Sequence, residues 1–191
     1  MTKTENFERV EVQSAAELWA WLGENHARPE SVWLVTWKKP SPRYLSTCDI
    51  FDAVIAHGWI DGIRRRHEVA EKTMQLIAPR KMQAWAQSYK DRAARLRQAG
   101  RMQPPGEAAI AAARKSGMWD FYADVDALIA PEDLKSALSE LAALEDFEAT
   151  APSYRRNVLR WIKLAKTPAT RAKRIAATAR SARDGVRLPQ M

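Results

Sequence analysis

Alanine is spread unevenly along this chain, and that asymmetry limits what it can fold into. Of 33 alanines, 25 lie after residue 83. Alanine is the strongest helix former, so the last hundred residues are expected to be helical. Breaks are expected at Gly100, Gly106, Gly117, Pro131, Pro152 and Pro168. Tyr154, Val158, Trp161, Ile162 and Ala165 share one helical face, with Arg156, Arg160 and Lys163 opposite, the pattern of an amphipathic helix. Thr167-Pro168 then supplies an N-cap and a proline at the first helical position. Ala172, Ile175, Ala176, Ala179 and Ala182 line the expected buried face of that last helix.

The first eighty residues mix helix and strand signals. Ser14-Ala15-Ala16-Glu17 is a capping-box pattern ahead of Leu18, Trp21 and Leu22. Val32 to Trp37 is a β-branched and aromatic run, long enough for a buried strand and too short for a helix. Ser46 and Asp49 form a second capping box before Ile50, Phe51, Val54 and Ile55, and Gly58 suits the C′ position. Trp59–Val69 and Lys72–Ala78 read as a hairpin. The expected class is α+β: a small antiparallel sheet with helices in residues 1–82, then a helical lobe over 83–191, the two forming one integrated domain. Parallel pairing is not expected.

Composition closes off several function classes. The chain has 191 residues, 46% of them hydrophobic and 28% charged, which suits one compact domain or two small lobes. No stretch reaches the roughly 18 uncharged apolar residues of a membrane helix, so membrane insertion is not expected. The N-terminal MTKTENFERVEVQ has no apolar core behind its basic residue and does not read as a secretory signal. The single cysteine, Cys48, permits no internal disulfide, which favours a reducing cytoplasm. The seven glycines form no phosphate-binding loop. His26, His57, His67 and Cys48 lack the close spacing of zinc ligands, and no serine sits in a nucleophile elbow. No metal or cofactor is expected, and no motif specifies a reaction.

Three features carry chemistry. In Gly58-Trp59-Ile60-Asp61-Gly62, a carboxylate sits among bulky apolar residues on a strand, where burying it is costly unless it is paired. Arg64, Arg65 and Arg66 follow it, and Arg80 closes the adjoining strand. Two readings stand: a polar pocket in which Asp61 and an arginine bind a small ligand or act as acid and base, or a structural ion pair. The second feature is the set of eight tryptophans. Trp33 and Trp161 read as core, whereas Trp59 and Trp85, close to charges, also fit a binding platform.

The third feature is a charge block. Nine acidic residues against one lysine occupy 120–148, and eleven Lys/Arg against one aspartate occupy 153–187. The basic block reads either as a phosphate-binding stripe for nucleic acid or as a face that docks on the acidic block before it. Within it, Lys166, Thr170, Arg171 and Arg174 surround a helix N-terminus that could hold an anion. On the structural reading, removing Arg171 or Arg174 is expected to cost about 3–5 kcal/mol, as for a buried charge pair.

Several of these residues also carry a resemblance. Val32-Trp33-Leu34 with Lys38-Lys39, Gly58 to Gly62, Pro79-Arg80 with Trp85, Gly100-Arg101-Met102 and Gly117-Met118-Trp119 make up its first part. Trp161-Ile162, Ala165-Lys166, Thr170-Arg171 and Arg174-Ile175 make up its second. Over about residues 30–180 the chain resembles the YdeI/OmpD-associated (OmdA-like) family of bacteriocin-protection proteins. It departs from it at Lys81 to Ala84, where similar proteins often carry serine before the tryptophan. The resemblance implies a bacterial, cytoplasmic protein linked to resistance against bacteriocins or antimicrobial peptides, with a porin partner implied by the family name alone. Combined with the residues above, the expected function is binding of a small anionic ligand or partner around Trp59, Asp61, Arg64, Arg80 and Trp85 together with Lys166, Thr170, Arg171 and Arg174. Nucleic-acid binding through the basic helices, or an enzyme with Asp61 as acid or base, are the alternatives.

Overall fold

The computed structural model describes residues 6–189. Residues 1–5, part of the stretch read as carrying no secretory signal, lie outside the described residues. The chain divides into two compact units, Met1–Asp120 and Phe121–Met191.

The first unit is α+β. Its strands are β1 (Arg9–Glu11), β2 (Val32–Trp37), β3 (Trp59–Arg66) and β4 (Lys72–Pro79), in spatial order β1-β2-β4-β3. The expected hairpin is there, with β3 and β4 antiparallel, and β2 pairs antiparallel with β4. One expectation fails: β1 joins β2 in parallel, Val10 opposite Leu34. A three-residue strand is too short for its period to register in sequence, and the helix α1 (Ala15–Asn25) supplies the crossover that parallel pairing needs.

Capping chemistry sets the helix starts. The Ser14 hydroxyl accepts from the Glu17 N–H at the start of α1. At α2 (Thr47–Ala56), Ser46 and Asp49 complete the capping box. Gly58, at φ +74°, ends α2 in the left-handed region. The helices α3 (Gln87–Gln98) and α4 (Pro104–Lys115) also belong to this unit and contribute Ala93, Leu96 and Ile110 to its core beside Leu18, Leu34 and Ile77. Gly106, expected as a break, lies inside α4, because a side chain there would collide with the Ala56 carbonyl at the end of α2.

The second unit is helical, with α5 (Ala123–Asp126), α6 (Glu132–Glu140), α7 (Leu144–Glu148), α8 (Pro152–Lys163) and α9 (Pro168–Arg183). Its core gathers Leu134, Leu138, Phe147, Val158, Ile162 and Ile175. Ala172, expected on the buried face of α9, is exposed, and Thr178 is buried instead, its hydroxyl bonded to the Arg174 carbonyl at 2.9 Å.

Candidate functional site: a cationic cleft over a buried carboxylate

The hairpin register creates the site. Asp61 lies opposite Ile77, yet Arg64 lies opposite Gln75, so three steps on β3 match two on β4. Regular pairing would place residue 63 opposite Gln75 and turn Arg64 to the other face of the sheet. The extra residue keeps Asp61 and Arg64 on the same face as Gln75 and Ile77, a re-aiming that bulges commonly perform. Ile77 belongs to the core beneath α2, so this is the helix-covered face.

Asp61 is half-buried and accepts two hydrogen bonds. The Tyr89 hydroxyl of α3 donates to one oxygen, and the Gln75 amide donates to the other at 3.2 Å. Burial first, then the bond to Asp61, push the Tyr89 phenol well above its ordinary range, so it stays a donor. Tyr89 stacks on Phe51 and meets Trp85 edge-on.

The expected direct ion pair between Asp61 and an arginine is not formed: among the described residues its two oxygens accept from Tyr89 and Gln75 instead. Arg80 instead lies over the Trp85 ring, 4.0 Å from its centroid, and donates to the carbonyls of Gln83 (3.1 Å) and Ala84 (3.4 Å). Burial pushes its guanidinium down to about 10, opposed by Tyr89 and Asp61. It remains a cation at neutral pH and reaches Asp61 through its field rather than by contact. Trp85 is thus a cation-stacking wall. Trp59 is core: it is fully buried, donates its indole N–H to the His26 carbonyl at 3.1 Å and packs edge-on to Trp21.

On the open side of Gln75 lies a cleft of about 300 Å³. Lys38 and Lys39 from the end of β2, Thr47 from the first turn of α2, and Arg64, Thr73 and Gln75 from the hairpin line it. No lining residue is acidic. Arg64 donates to the Thr47 hydroxyl at 3.0 Å, Lys38 to the Ala70 carbonyl at 2.7 Å, and the Lys39 ammonium lies 5.1 Å from the Tyr44 ring centroid. Among the described residues none of these three cations forms an ion pair, whereas Lys72, Lys90, Arg92 and Arg97 of the same unit all do. Gln75, only 4% exposed, has an Oε1 without a partner.

Arg64 is the one sequence-expected site residue that reaches this cleft. Gln75, Tyr89, Thr47 and the lysine pair were not singled out as site residues. Their signals were weak: a glutamine in an alternating strand, and lysines that read as a strand end. Trp59, Asp61, Arg80 and Trp85 share the first unit with Arg64, whereas Lys166, Thr170, Arg171 and Arg174 lie in the second. Arg171 makes a two-pronged contact with Asp133 at 2.7 and 2.8 Å, Lys163 pairs with Asp124 at 2.6 Å, and Arg174 donates to the Trp161 carbonyl. The basic block therefore does use the acidic block before it. Thr170 is taken up in the α9 cap, where Thr167 accepts its N–H at 3.1 Å, and Lys166 is exposed.

Fold and site together define a mixed α+β unit with a polar cleft, followed by a helical unit. The chain belongs to the family described as a domain of unknown function (DUF8412), whose model matches residues 10–109, just over half of its length. Residues 127–185 match a second family, described as "Bacteriocin-protection, YdeI or OmpD-Associated". The resemblance seen in the sequence thus holds in the C-terminal part, while the motifs around Trp33, Asp61 and Trp85 fall in the domain of unknown function. No curated protein and no solved structure matches the chain.

Proposed function

We propose that the first unit binds a small anion in the cleft between the β2 end, the β3–β4 hairpin and the first turn of α2. The observation that carries this reading is the set of three cations, Lys38, Lys39 and Arg64, around a concave site that supplies no counter-charge. Unpaired cations on a flat surface are solvated and unremarkable. Three converging on one cleft repel each other, and an anion relieves that repulsion. The cleft also gains the Thr47 hydroxyl, while the N-terminus of α2 is already capped by Ser46 and Asp49. Its volume is at the low end for ligand pockets, which suits a metabolite-sized molecule rather than a polymer.

In this reading the protein works in the bacterial cytoplasm, and anion binding serves the bacteriocin protection that the second family's description names. Nucleic-acid binding draws less support from the basic block than its charge count suggests, because three of its eleven cations, Lys163, Arg171 and Arg183, are already paired with acids of their own unit.

Calorimetric titration of inorganic phosphate into wild type, Lys39→Ala and Arg64→Ala tests the reading. Binding that is weakened about tenfold or more in both variants supports it. Equal binding in all three, or none in wild type, contradicts it.

A further inference from the structure

The buried side of the cleft specifies more than charge. Gln75 is held by its Nε2, which donates to Asp61. The other Asp61 oxygen already accepts from Tyr89. A carboxylate accepts and does not donate, so it fixes which end of the amide faces it. Gln75 cannot turn over without setting its carbonyl against a carboxylate. The acceptor Oε1 is therefore the end that Gln75 presents away from Asp61, and it is buried without a partner. A buried acceptor of this kind is costly unless something donates to it.

We infer, building on the anion-binding reading, that the ligand is a small hydroxylated organic phosphate. Its phosphate meets Lys38, Lys39 and Arg64, and a hydroxyl donates to Gln75 Oε1. The donor has to be neutral, because an ammonium would face the same three cations that hold the phosphate. A hydroxyl meets that condition, and a phosphate dianion answers the charge of the cleft better than a carboxylate. Gln75 is then a specificity-determining residue. Asp61 and Tyr89 are positioning residues that act through it.

The test compares two probes of equal charge and similar length, glycerol 1-phosphate and n-propyl phosphate, by calorimetric titration. The wild type is expected to bind glycerol 1-phosphate at least about tenfold more tightly, because the propyl compound leaves Oε1 unanswered. Gln75→Leu should erase that preference by weakening glycerol 1-phosphate alone. Asp61→Asn, which permits the amide to turn over, should narrow it. Circular dichroism and melting temperature check that each variant is folded, and the wild-type comparison stands without them. Binding of both probes within twofold of each other in wild type overturns the inference and leaves the anion reading intact. So does a preference that survives in a folded Gln75→Leu. Binding of neither probe overturns both readings.

Discussion

Gln75 and Asp61 are joined diagonally across the β3–β4 hairpin, amide to carboxylate at 3.2 Å, although neither is the other's cross-strand partner. The bulge between Asp61 and Arg64 adds the third member, because it turns Arg64 onto the face that Asp61 and Gln75 already share. One backbone irregularity thus links a buried carboxylate, a fixed amide and a cleft cation. Arg64 reaches the cleft only because the strand spends an extra residue before it.

Tyr89→Phe tests the buried end of this chain. The variant keeps the ring that stacks on Phe51 and removes one of the two donors to Asp61. Urea unfolding is expected to show a loss of about 1–3 kcal/mol, the usual cost of stranding a buried acceptor. The wild-type phenol also has a pKa raised above its ordinary value of 10.0. Its stabilising contribution is therefore complete below pH 10.0 and is lost as pH rises through the higher folded value. Ultraviolet titration should show a late-ionising tyrosine that is missing from Tyr89→Phe, beside Tyr122, whose pKa burial also raises.

His57 sets an acid limit. It caps the C-terminal end of α2 and donates from Nδ1 to the Ala53 carbonyl at 2.8 Å. Burial lowers its pKa below 6.5, opposed by that hydrogen bond and assisted by the nearby His26. The unfolded chain therefore binds the proton first as pH falls. Stability from this group is present above 6.5 and is lost as pH drops through the lower folded value. Melting temperatures measured between about pH 5 and 7.5 should fall on the acid side, and His57→Gln should flatten that limb.

Gly106→Ala should destabilise the first unit by about 1–3 kcal/mol, the range for forcing atoms into a packed contact. Its missing Cβ lets α4 approach the Ala56 carbonyl, and there is no flexible side chain at that oxygen to move aside. Gly117→Ala has open space around it, but its φ of +76° makes it strained in its own right. Gly23→Ala, with neither obstacle, is the matched control and should leave the unfolding midpoint in place or raise it.

Arg171→Ala should cost about 1 kcal/mol or less in thermal or urea unfolding. The sequence led to an expectation of about 3–5 kcal/mol for a buried pair. The structure replaces it, because the Arg171 and Asp133 side chains are 33% and 49% exposed. Solvent screens the pair despite its two-pronged geometry. A loss above 3 kcal/mol would show that the pair is shielded from water after all.

Local rules made most of the fold readable. Ser14, Ser46 and Thr167 cap helices as their positions foretold, and Val32–Trp37 forms a strand with the expected ends. These features depend on neighbours a few residues apart. What the sequence hid depends on register. The bulge after Asp61 leaves no compositional mark beyond Gly62, and without it Gln75 and Arg64 are not placed on one face. Tyr89 reaches Asp61 from a helix 28 residues away, a distance that no periodicity reports. Asp61 itself was legible, because a carboxylate between Ile60 and Ile63 on a strand demands partners. Their identity was not, since a tyrosine and a glutamine answer the demand as well as an arginine does.

The most direct measurement is the anomalous scattering of crystals soaked in tungstate, a heavy tetrahedral stand-in for phosphate. The account predicts a tungsten peak in the cleft, within contact distance of Lys39 and Arg64 and beside the first turn of α2, absent from crystals of Arg64→Ala. A peak confined to α8 and α9, or a cleft that stays empty while tungstate binds elsewhere, would contradict it.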